Sequence, residues 1–393
     1  MILQAIMKNK WTASLYDIHS FLSRLYFYLP ILILSFQGRG FTQFEISILL
    51  SCFFLSTTLS EVPTGIFSDR VGHKWAMALC GFCQALGVLF LGLSSQFLWV
   101  VVGEVLMGLG QAFYTGSKEA YLFNSLEVAD AHTRYQKDYA RAKLFEFIGM
   151  ATAALIGGSI YAYSPRLPFF LATAAFLCAG LLAVSLREPP REVSEPLTTL
   201  KHLSQGLQEI YRGAPTLKLL VTYFCATFTV ILIFTVVLGQ PTLRSAGMPL
   251  PYFGLVYLFF YSCSMGGSLL ARRLSREGPN RFQFAAMAIA LSAALAGLAV
   301  TRHPLVLVAL LIGVIYLAWG LFIPTTSGAT NRLIHSRVRA TVLSAQDLAQ
   351  NLLFVIIAPL LGLAVDHGGL TAALWPLCAL ALVSALLSLR MRF

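Results

Sequence analysis

The stretch EVPTGIFSDRVGHKW, residues 61–75, places a group of charged and titratable side chains between two long apolar segments. The segment before it is largely apolar, and the segment after it carries no charge for a full helix length. Because a helix of about 20 apolar residues crosses the hydrocarbon of a bilayer, this pattern predicts a short polar turn between two membrane spans. The titratable residues of the turn are Glu61, Asp69, Arg70, His73 and Lys74.

The composition of the whole chain indicates a membrane protein. Of its 393 residues, 57% are hydrophobic and 11% are charged, whereas a soluble domain carries roughly 25% charged residues. The formal net charge is +11, but the basic residues lie in short gaps between apolar runs, as membrane topology requires. We therefore expect a lipid bilayer as partner and no nucleic acid.

Twelve segments are long and apolar enough to cross the membrane, six on each side of a central polar stretch. Within that stretch, leucines at helical spacing predict an amphipathic helix on the membrane surface. The sequence thus predicts an all-α membrane protein with an N-terminal six-helix bundle (1–187), a cytoplasmic linker (188–216) and a C-terminal six-helix bundle (217–393). The predicted spans are 11–36, 43–67, 75–94, 97–125, 142–163, 167–187, 217–241, 250–271, 282–301, 304–328, 341–364 and 370–389.

The distribution of lysine and arginine predicts the orientation. With the N-terminus inside, the cytoplasmic segments hold 22 lysines and arginines, whereas the opposite side holds only Arg39, Arg166, Arg244 and Arg302. Both termini are then cytoplasmic, in a multi-pass protein of the cell's inner membrane. A weak echo of GIFSDRVGHK in GSLLARRLSR after the eighth span indicates two pseudo-symmetric halves, as in many transporters.

Several spans of the first half contain charged residues, which indicates a polar pathway through the membrane. An ionised side chain at mid-bilayer costs at least about 2.5 kcal/mol, so such residues face a cavity or one another. A carboxyl group in a cavity can carry a proton. The candidates for proton coupling are Asp17, Glu61, Glu104 and Glu119, and Glu146 is a further charge in the fifth span.

On the fourth span, Glu104, Gln111 and Lys118 recur at helical spacing and predict one polar face. Asp17 and Arg24 do the same on the first span. A purely structural alternative is that Asp17, Glu61 and Lys118 neutralise one another and hold the bundle together. The predicted substrate cavity is lined by Arg24, Tyr28, Gln111, Tyr114, Lys118, Tyr257, Tyr261, Trp319 and Asp347.

The segment GIFSDRVGHK resembles motif A of the major facilitator superfamily, a Gly-x-Leu-Ala-Asp-Arg-x-Gly-Arg-Lys pattern between the second and third helices. The resemblance implies the major facilitator fold and covers the entire chain. It also implies a cytoplasmic gate in which Asp69 and Arg70 latch the two bundles. The residues that match the motif are Gly65, Asp69, Arg70, Gly72 and Lys74, whereas Phe67, Ser68 and His73 depart from it conservatively.

The drug:proton antiporters of that superfamily carry further motifs, which this chain keeps in part. In the fourth span Gly108 and Gly110 are retained, but Glu104 stands in place of the antiporters' arginine. In the fifth span Gly157 and Gly158 are retained without the preceding proline. The match is closest in character to proton antiporters of drugs and other small molecules.

These observations predict a secondary active transporter that uses protons to export a small amphipathic or charged compound by alternating access. The alternative is an importer, a proton symporter or uniporter, of an anionic or zwitterionic nutrient bound by Arg24. A membrane receptor without transport is a third interpretation. Nothing resembles a nucleotide loop, a metal cluster or a nucleophile–base pair, so we expect no enzyme activity, no cofactor and no metal, and we expect a monomer.

Overall fold

The computed structural model describes residues 14–127, 135–189, 215–274, 278–300, 304–334 and 339–393. These residues are almost entirely helical, and no strand occurs among them. The helices of the first half are α1 (14–22), α2 (Leu32–Gly38), α3 (Gln43–Val71), α4 (His73–Leu93), α5 (Phe97–Glu127), α6 (Tyr135–Tyr163) and α7 (Leu167–Ser185). Those of the second half are α8 (Pro215–Ile233), α9 (Gly239–Ser245), α10 (Phe253–Leu274), α11 (Arg281–Val300), α12 (Leu305–Leu333), α13 (Arg339–Gly368) and α14 (Leu370–Leu389).

The predicted all-α membrane architecture is confirmed. In the part of the chain that the structure describes, 11 helical segments are long and apolar enough to cross a membrane, and they correspond to all predicted spans except the first. A π-helical turn, Phe234–Leu238, joins α8 to α9 within the seventh span. The amphipathic linker helix predicted near 200–210 lies outside the described residues.

The first span differs from its prediction because it is interrupted. Helix α1 ends at residue 22, and helical structure resumes only with the 3₁₀ turn Leu29–Ile31 that leads into α2. Pro30 lies at the start of this 3₁₀ turn and prevents a continuous helix across it, since proline lacks an N–H and its ring clashes with the carbonyl group four residues earlier. Non-helical backbone at this depth is stable only where protein or a polar cavity surrounds it.

Two glycines of α6 provide the space for that interrupted segment. A Cβ atom placed on Gly149 would lie 2.5 Å from the carbonyl oxygen of Phe21, and one on Gly157 would overlap the carbonyl oxygen of Phe27. Only glycine permits such close approach of two backbones. The small residues of α6 therefore determine where the first span packs.

The chain forms two compact units that do not follow the sequence halves strictly. The described residues within Met1–Leu32, Cys52–Pro196 and Leu250–Gly254 form the first unit. At its centre α4 packs against α5 and α7. Glycine again sets the spacing, because a Cβ atom on Gly81 of α4 would lie 2.6 Å from the backbone of Gly180 on α7.

The second unit is formed by the described residues within Ile33–Ser51, Leu197–Pro249 and Leu255–Phe393. It includes the start of α3 from the first half, together with most of the second half. In this unit α11 packs against α12 and α14, while α8 packs against α13 and α14. Helices α10 and α12 come into backbone contact at Gly320, where an added Cβ atom would overlap the carbonyl group of Ser264.

We expect Gly320→Ala to lower the free energy of unfolding by about 1–3 kcal/mol, the usual cost of overpacking, because α10 and α12 must separate. Gly328→Ala on the same helix is the matched control, since a Cβ atom there meets nothing within 4 Å. Thermal unfolding of the detergent-solubilised variants measures the difference. Equal melting temperatures for the two variants would contradict the close packing at Gly320.

Candidate functional site

Arg24 lies in the interrupted part of the first span, within the first unit. Its Nε donates a hydrogen bond to Glu146 Oε2 at 3.4 Å, and its Nη1 donates one to the Tyr26 hydroxyl at 3.4 Å. Its guanidinium carbon lies 4.1 Å from the centroid of the Tyr114 ring, which is a cation–π contact. A guanidinium carries five N–H donors, so two long hydrogen bonds leave donor capacity for a further acceptor.

Glu146 on α6 is the carboxylate at the centre of this site. Its Oε1 accepts a hydrogen bond from Lys118 Nζ and lies 3.6 Å from Lys143 Nζ, while Oε2 contacts Arg24. Only 8% of its side chain is exposed. A buried carboxylate shared by cations from several elements satisfies charges that would otherwise be costly in the membrane.

Helix α5 supplies Tyr114 and Lys118 one turn apart, and Lys118 belongs to the polar face that the spacing predicts. The Lys118 ammonium donates to the Tyr114 hydroxyl at 2.8 Å, and both side chains are buried. The Tyr16 hydroxyl of α1 donates to the Lys118 carbonyl oxygen at 3.0 Å. Gln111 is half-buried one turn earlier on α5. Four predicted residues, Arg24, Gln111, Tyr114 and Lys118, thus belong to this region of the first unit.

The other predicted acids of the first unit have separate partners. Asp17 is buried and forms an ion pair with Arg141, whose Nε lies 2.7 Å from Asp17 Oδ2. Glu119 is exposed, accepts a hydrogen bond from the Tyr139 hydroxyl at 3.0 Å, and lies 3.6 Å from Lys143 Nζ. Glu61 is exposed on α3. The cation that pairs with Asp17 is therefore Arg141 rather than Lys118.

Glu104 lies apart from these ion pairs. It is 14 residues before Lys118 on α5, which corresponds to about 21 Å along the helix. Its side chain is buried, and its Oε1 has no hydrogen-bond partner among the described residues. Tyr28, which is also buried, and Cys52 lie within electrostatic range of Glu104. Glu104 is thus a buried acid with an unsatisfied oxygen.

The turn that holds the sequence motif has a defined local structure. Gly72 adopts a φ of 134°, which side chains rarely tolerate, and so explains the glycine between α3 and α4. The Glu188 carboxylate accepts the backbone N–H groups of His73 and Lys74 at 2.7 and 2.9 Å and caps α4. Lys74 Nζ donates to backbone carbonyl groups at the end of α7. Gly65 is half-buried, and Asp69 and Arg70 are exposed.

In the second unit, the predicted aromatic residues Tyr257, Tyr261 and Trp319 share one cluster around Tyr316. The Tyr316 ring centroid lies 6.4, 6.0 and 5.6 Å from theirs, in that order. Tyr257 and Tyr316 are buried, whereas Tyr261 and Trp319 are half-buried. Asp347 is exposed on α13.

Spacing along the sequence could not select Glu146, Arg141, Glu188 or Tyr316. Each gains its importance from contacts with other helices, and periodicity compares positions only within one helix. One signal was present for Glu146, because Lys143 precedes it by three residues on the same face. The charge of Glu146 had already indicated that the fifth span belongs to the polar pathway, but not that Glu146 is the carboxylate at the centre of the site.

Comparison with known protein families identifies the family of the chain. The profile of the Major Facilitator Superfamily matches residues 18–359. The chain belongs to the Major Facilitator Superfamily. It is therefore a membrane transporter and not an enzyme, as the sequence predicts.

Individual relatives are more distant. The chain is 24% identical over 255 residues to the class D tetracycline resistance protein of Salmonella ordonez, covering 63% of each protein. It is 25% identical over 169 residues to the melibiose permease of Enterobacter cloacae, which covers 41% of this chain and 38% of that protein. The chain thus spans less than two thirds of the length of these curated relatives.

Among solved structures, a mutant of the nucleoside transporter NupG is similar with a TM-score of 0.83 at 15% identity, over 97% of this chain and 100% of that one. At this identity the likeness shows the fold alone. The predicted fold, twelve membrane-spanning helices of the major facilitator type, is thereby confirmed.

We expect Glu146→Gln to lower the free energy of unfolding by about 3–5 kcal/mol, because it leaves the buried cations Lys118 and Arg24 without their carboxylate. Glu119→Gln is the control, since its exposed pair with Lys143 contributes about 1 kcal/mol or less. Thermal unfolding in detergent compares the two. Adding Lys118→Met to Glu146→Gln should restore part of the loss, and equal melting temperatures for Glu146→Gln and Glu119→Gln would argue against a buried charge cluster.

Proposed function

We propose that this superfamily member is a proton-coupled secondary transporter that exports a small amphipathic or charged compound by alternating access. The observation that carries the proposal is the set of buried ionisable groups in the first unit: the ion-paired site at Arg24, Lys118 and Glu146, and the separate buried acid Glu104. Ionisable residues inside membrane spans mark the pathways of substrates and protons in transporters. The proposed membrane is the inner membrane, with both termini cytoplasmic and the protein monomeric.

Arg24 supports recognition of a charged group on the substrate. Its guanidinium is partly accessible, stacks on Tyr114 and makes two long hydrogen bonds, so it can donate two further hydrogen bonds to a carboxylate of the substrate. The proposed cavity residues Tyr28, Gln111 and Lys118 come from the same unit. In the second unit, the residues proposed to contact an amphipathic substrate are Tyr257, Tyr261, Trp319 and Asp347.

Glu104 is our first candidate for the coupling proton. A buried carboxylate without a partner is costly, and a bound proton removes that cost. Asp17, Glu61 and Glu119 are further candidates. Asp17 and Glu119 already have cationic partners, which lessens the need for a proton at those positions.

The same guanidinium also favours a second function, the import of an anionic or zwitterionic nutrient by symport or uniport. Support for export comes from the relative named for tetracycline resistance, because a transporter confers resistance by removing a compound from the cell. The direction of proton movement separates the two functions.

Reconstitution into proteoliposomes that contain a pH-sensitive dye tests the function. A compound library is applied under an imposed pH gradient, with protein-free liposomes and Glu104→Gln liposomes as controls. For an exporter we expect some compounds to drive protons in the direction opposite to their own movement. Movement of protons together with an anionic compound would support import instead. Compound flux that moves no protons in either direction would contradict proton coupling.

We expect Glu104→Gln to abolish accumulation of substrate against its gradient but to permit exchange down its gradient, because the neutral amide imitates the protonated acid. Asp17→Asn should show the same separation if Asp17 shares the coupling role. Flux with and without a pH gradient measures it. If Glu104→Gln still concentrates substrate, then Glu104 is not the obligatory proton carrier.

The motif residues Gly65, Asp69, Arg70, Gly72 and Lys74 form the proposed cytoplasmic gate. Asp69→Asn and Arg70→Ala should leave the protein folded in the membrane but slow transport, because the latch between the bundles weakens. Transport rates at matched expression measure the effect, and Lys137→Ala, which removes an exposed charge that belongs neither to the gate nor to the proposed cavity, is the control. Wild-type rates in both gate variants would dismiss the gate.

A further inference from the structure

The first turn of α3 is capped by a residue from the other half of the sequence. The Asp366 carboxylate, at the end of α13, accepts the backbone N–H groups of Gln43 and Phe44, each at 2.8 Å. These N–H groups have no acceptor within their own helix. A negative charge at the start of a helix also interacts favourably with the helix dipole.

Helix α3 does not need Asp366 in order to begin. Thr42 and Glu45 form a complete capping box, in which Glu45 Oε2 accepts the Thr42 N–H at 2.9 Å and Thr42 Oγ1 accepts the Glu45 N–H at 3.1 Å. The bonds to Asp366 are therefore additional. What they contribute is a link between the start of α3 and the end of α13.

The backbones of α3 and α13 are in close contact beside this link. A Cβ atom on Gly362, one turn before Asp366, would lie 2.6 Å from the carbonyl oxygen of Gln43. The Gln43 side chain also donates to the carbonyl oxygen of Val237 at 3.1 Å. These contacts account for the presence of the start of α3 in the second unit.

A reciprocal contact occurs in the first unit, where Leu250–Gly254 of the second half joins α6. A Cβ atom on Gly254 would overlap the carbonyl group of Ala154, and one on Gly158 would overlap that of Leu250. Four residues after Gly158 stands Ala162, whereas Asp366 stands four residues after Gly362. Of these two contacts, the one between α3 and α13 carries the carboxylate.

Both contacts lie at the end of the helices that the lysine and arginine distribution predicts to face outward, which we call the outer end. Helices α3 and α10 begin there, and α6 and α13 end there. Transporters with repeated halves work by opening and closing each side of the membrane in turn. A contact between halves at one side must therefore break during each cycle.

We propose that the two hydrogen bonds from the α3 N–H groups to the Asp366 carboxylate, which we call the clasp, hold the outer end closed and break when that end opens. The capping box of Thr42 and Glu45 keeps α3 helical while the clasp is open. The carboxylate therefore sets the stability of the closed outer end without setting the stability of the helix. This inference goes beyond the proposed function, because it needs neither a particular substrate nor a proton.

Cysteine labelling tests the clasp in the full-length protein in membranes. The native cysteines are replaced, and Ser51→Cys is introduced on α3 eight residues after Gln43, about two turns from the contact, where the side chain is buried. A membrane-impermeant maleimide added from the outer side reports opening. Asp366→Asn keeps the shape of the side chain but loses its charge. We expect it to increase the labelling rate roughly threefold to tenfold, the population shift that loss of a cap of this kind allows.

Glu45→Gln is the matched control, because it removes an equal charge from the same helix start without touching α13. We expect its labelling rate to equal that of the parent. Gly362→Ala pushes the same contact apart without a change of charge and should raise labelling. Gel filtration in detergent confirms that each variant is folded. Unchanged labelling in Asp366→Asn and Gly362→Ala would overturn the clasp, as would an equal increase in Glu45→Gln, which would indicate fraying of α3 instead. The labelling rate does not depend on transport activity, so this test of the clasp is independent of the test of the proposed function.

Discussion

The first unit depends on one electrostatic constraint: the cations buried at its centre require a shared carboxylate. Glu146 meets that requirement from α6, and it joins Lys118 of α5 to Arg24 of the interrupted first span. Removing water from an ion is costly, so the site is stable only while these groups remain together. Because Arg24 lies on non-helical backbone, the same carboxylate also fixes the part of the chain that has the least helical structure.

The constraint on charge is matched by a constraint on space. Between helices in lipid there is little hydrophobic gain, and association depends on close packing of small residues. Gly149 and Gly157 bring α6 against the backbone of the first span, and this approach carries Glu146 toward Arg24. A larger residue at either glycine would move the carboxylate away from its cations. In this unit, the close packing of α6 therefore also determines the distance between Glu146 and Arg24.

Much of the fold could be predicted from the sequence, because the length of an apolar segment is decided by the bilayer and needs no tertiary information. For the site, the sequence could predict only which residues share a face of the same helix. Spacing predicted that Gln111 and Lys118 share one face of α5, and Lys118 lies in the site, where it contacts Tyr114. The sequence showed Glu146 as a charge in the fifth span, but spacing could not identify its partners Arg24 and Lys118, which are on other elements. The sequence predicted a continuous first span, whereas the structure interrupts it, and the path of the chain there depends on the glycines of α6.

The structure uses one local device, a carboxylate that accepts two N–H groups at a helix start, in two different settings. Glu188 caps α4 from the same half of the sequence, close to the end of α7, and both helices belong to the first unit. Asp366 caps α3 with the same chemistry from the opposite half. The distances are alike, so the strength of the hydrogen bonds does not distinguish the two caps. The origin of the carboxylate does, since α4 and α7 come from the same half of the sequence, whereas α3 and α13 come from opposite halves, and the proposed clasp requires only the second cap to open. We therefore infer whether a cap persists or breaks during transport from whether the carboxylate and the capped helix belong to the same half of the sequence.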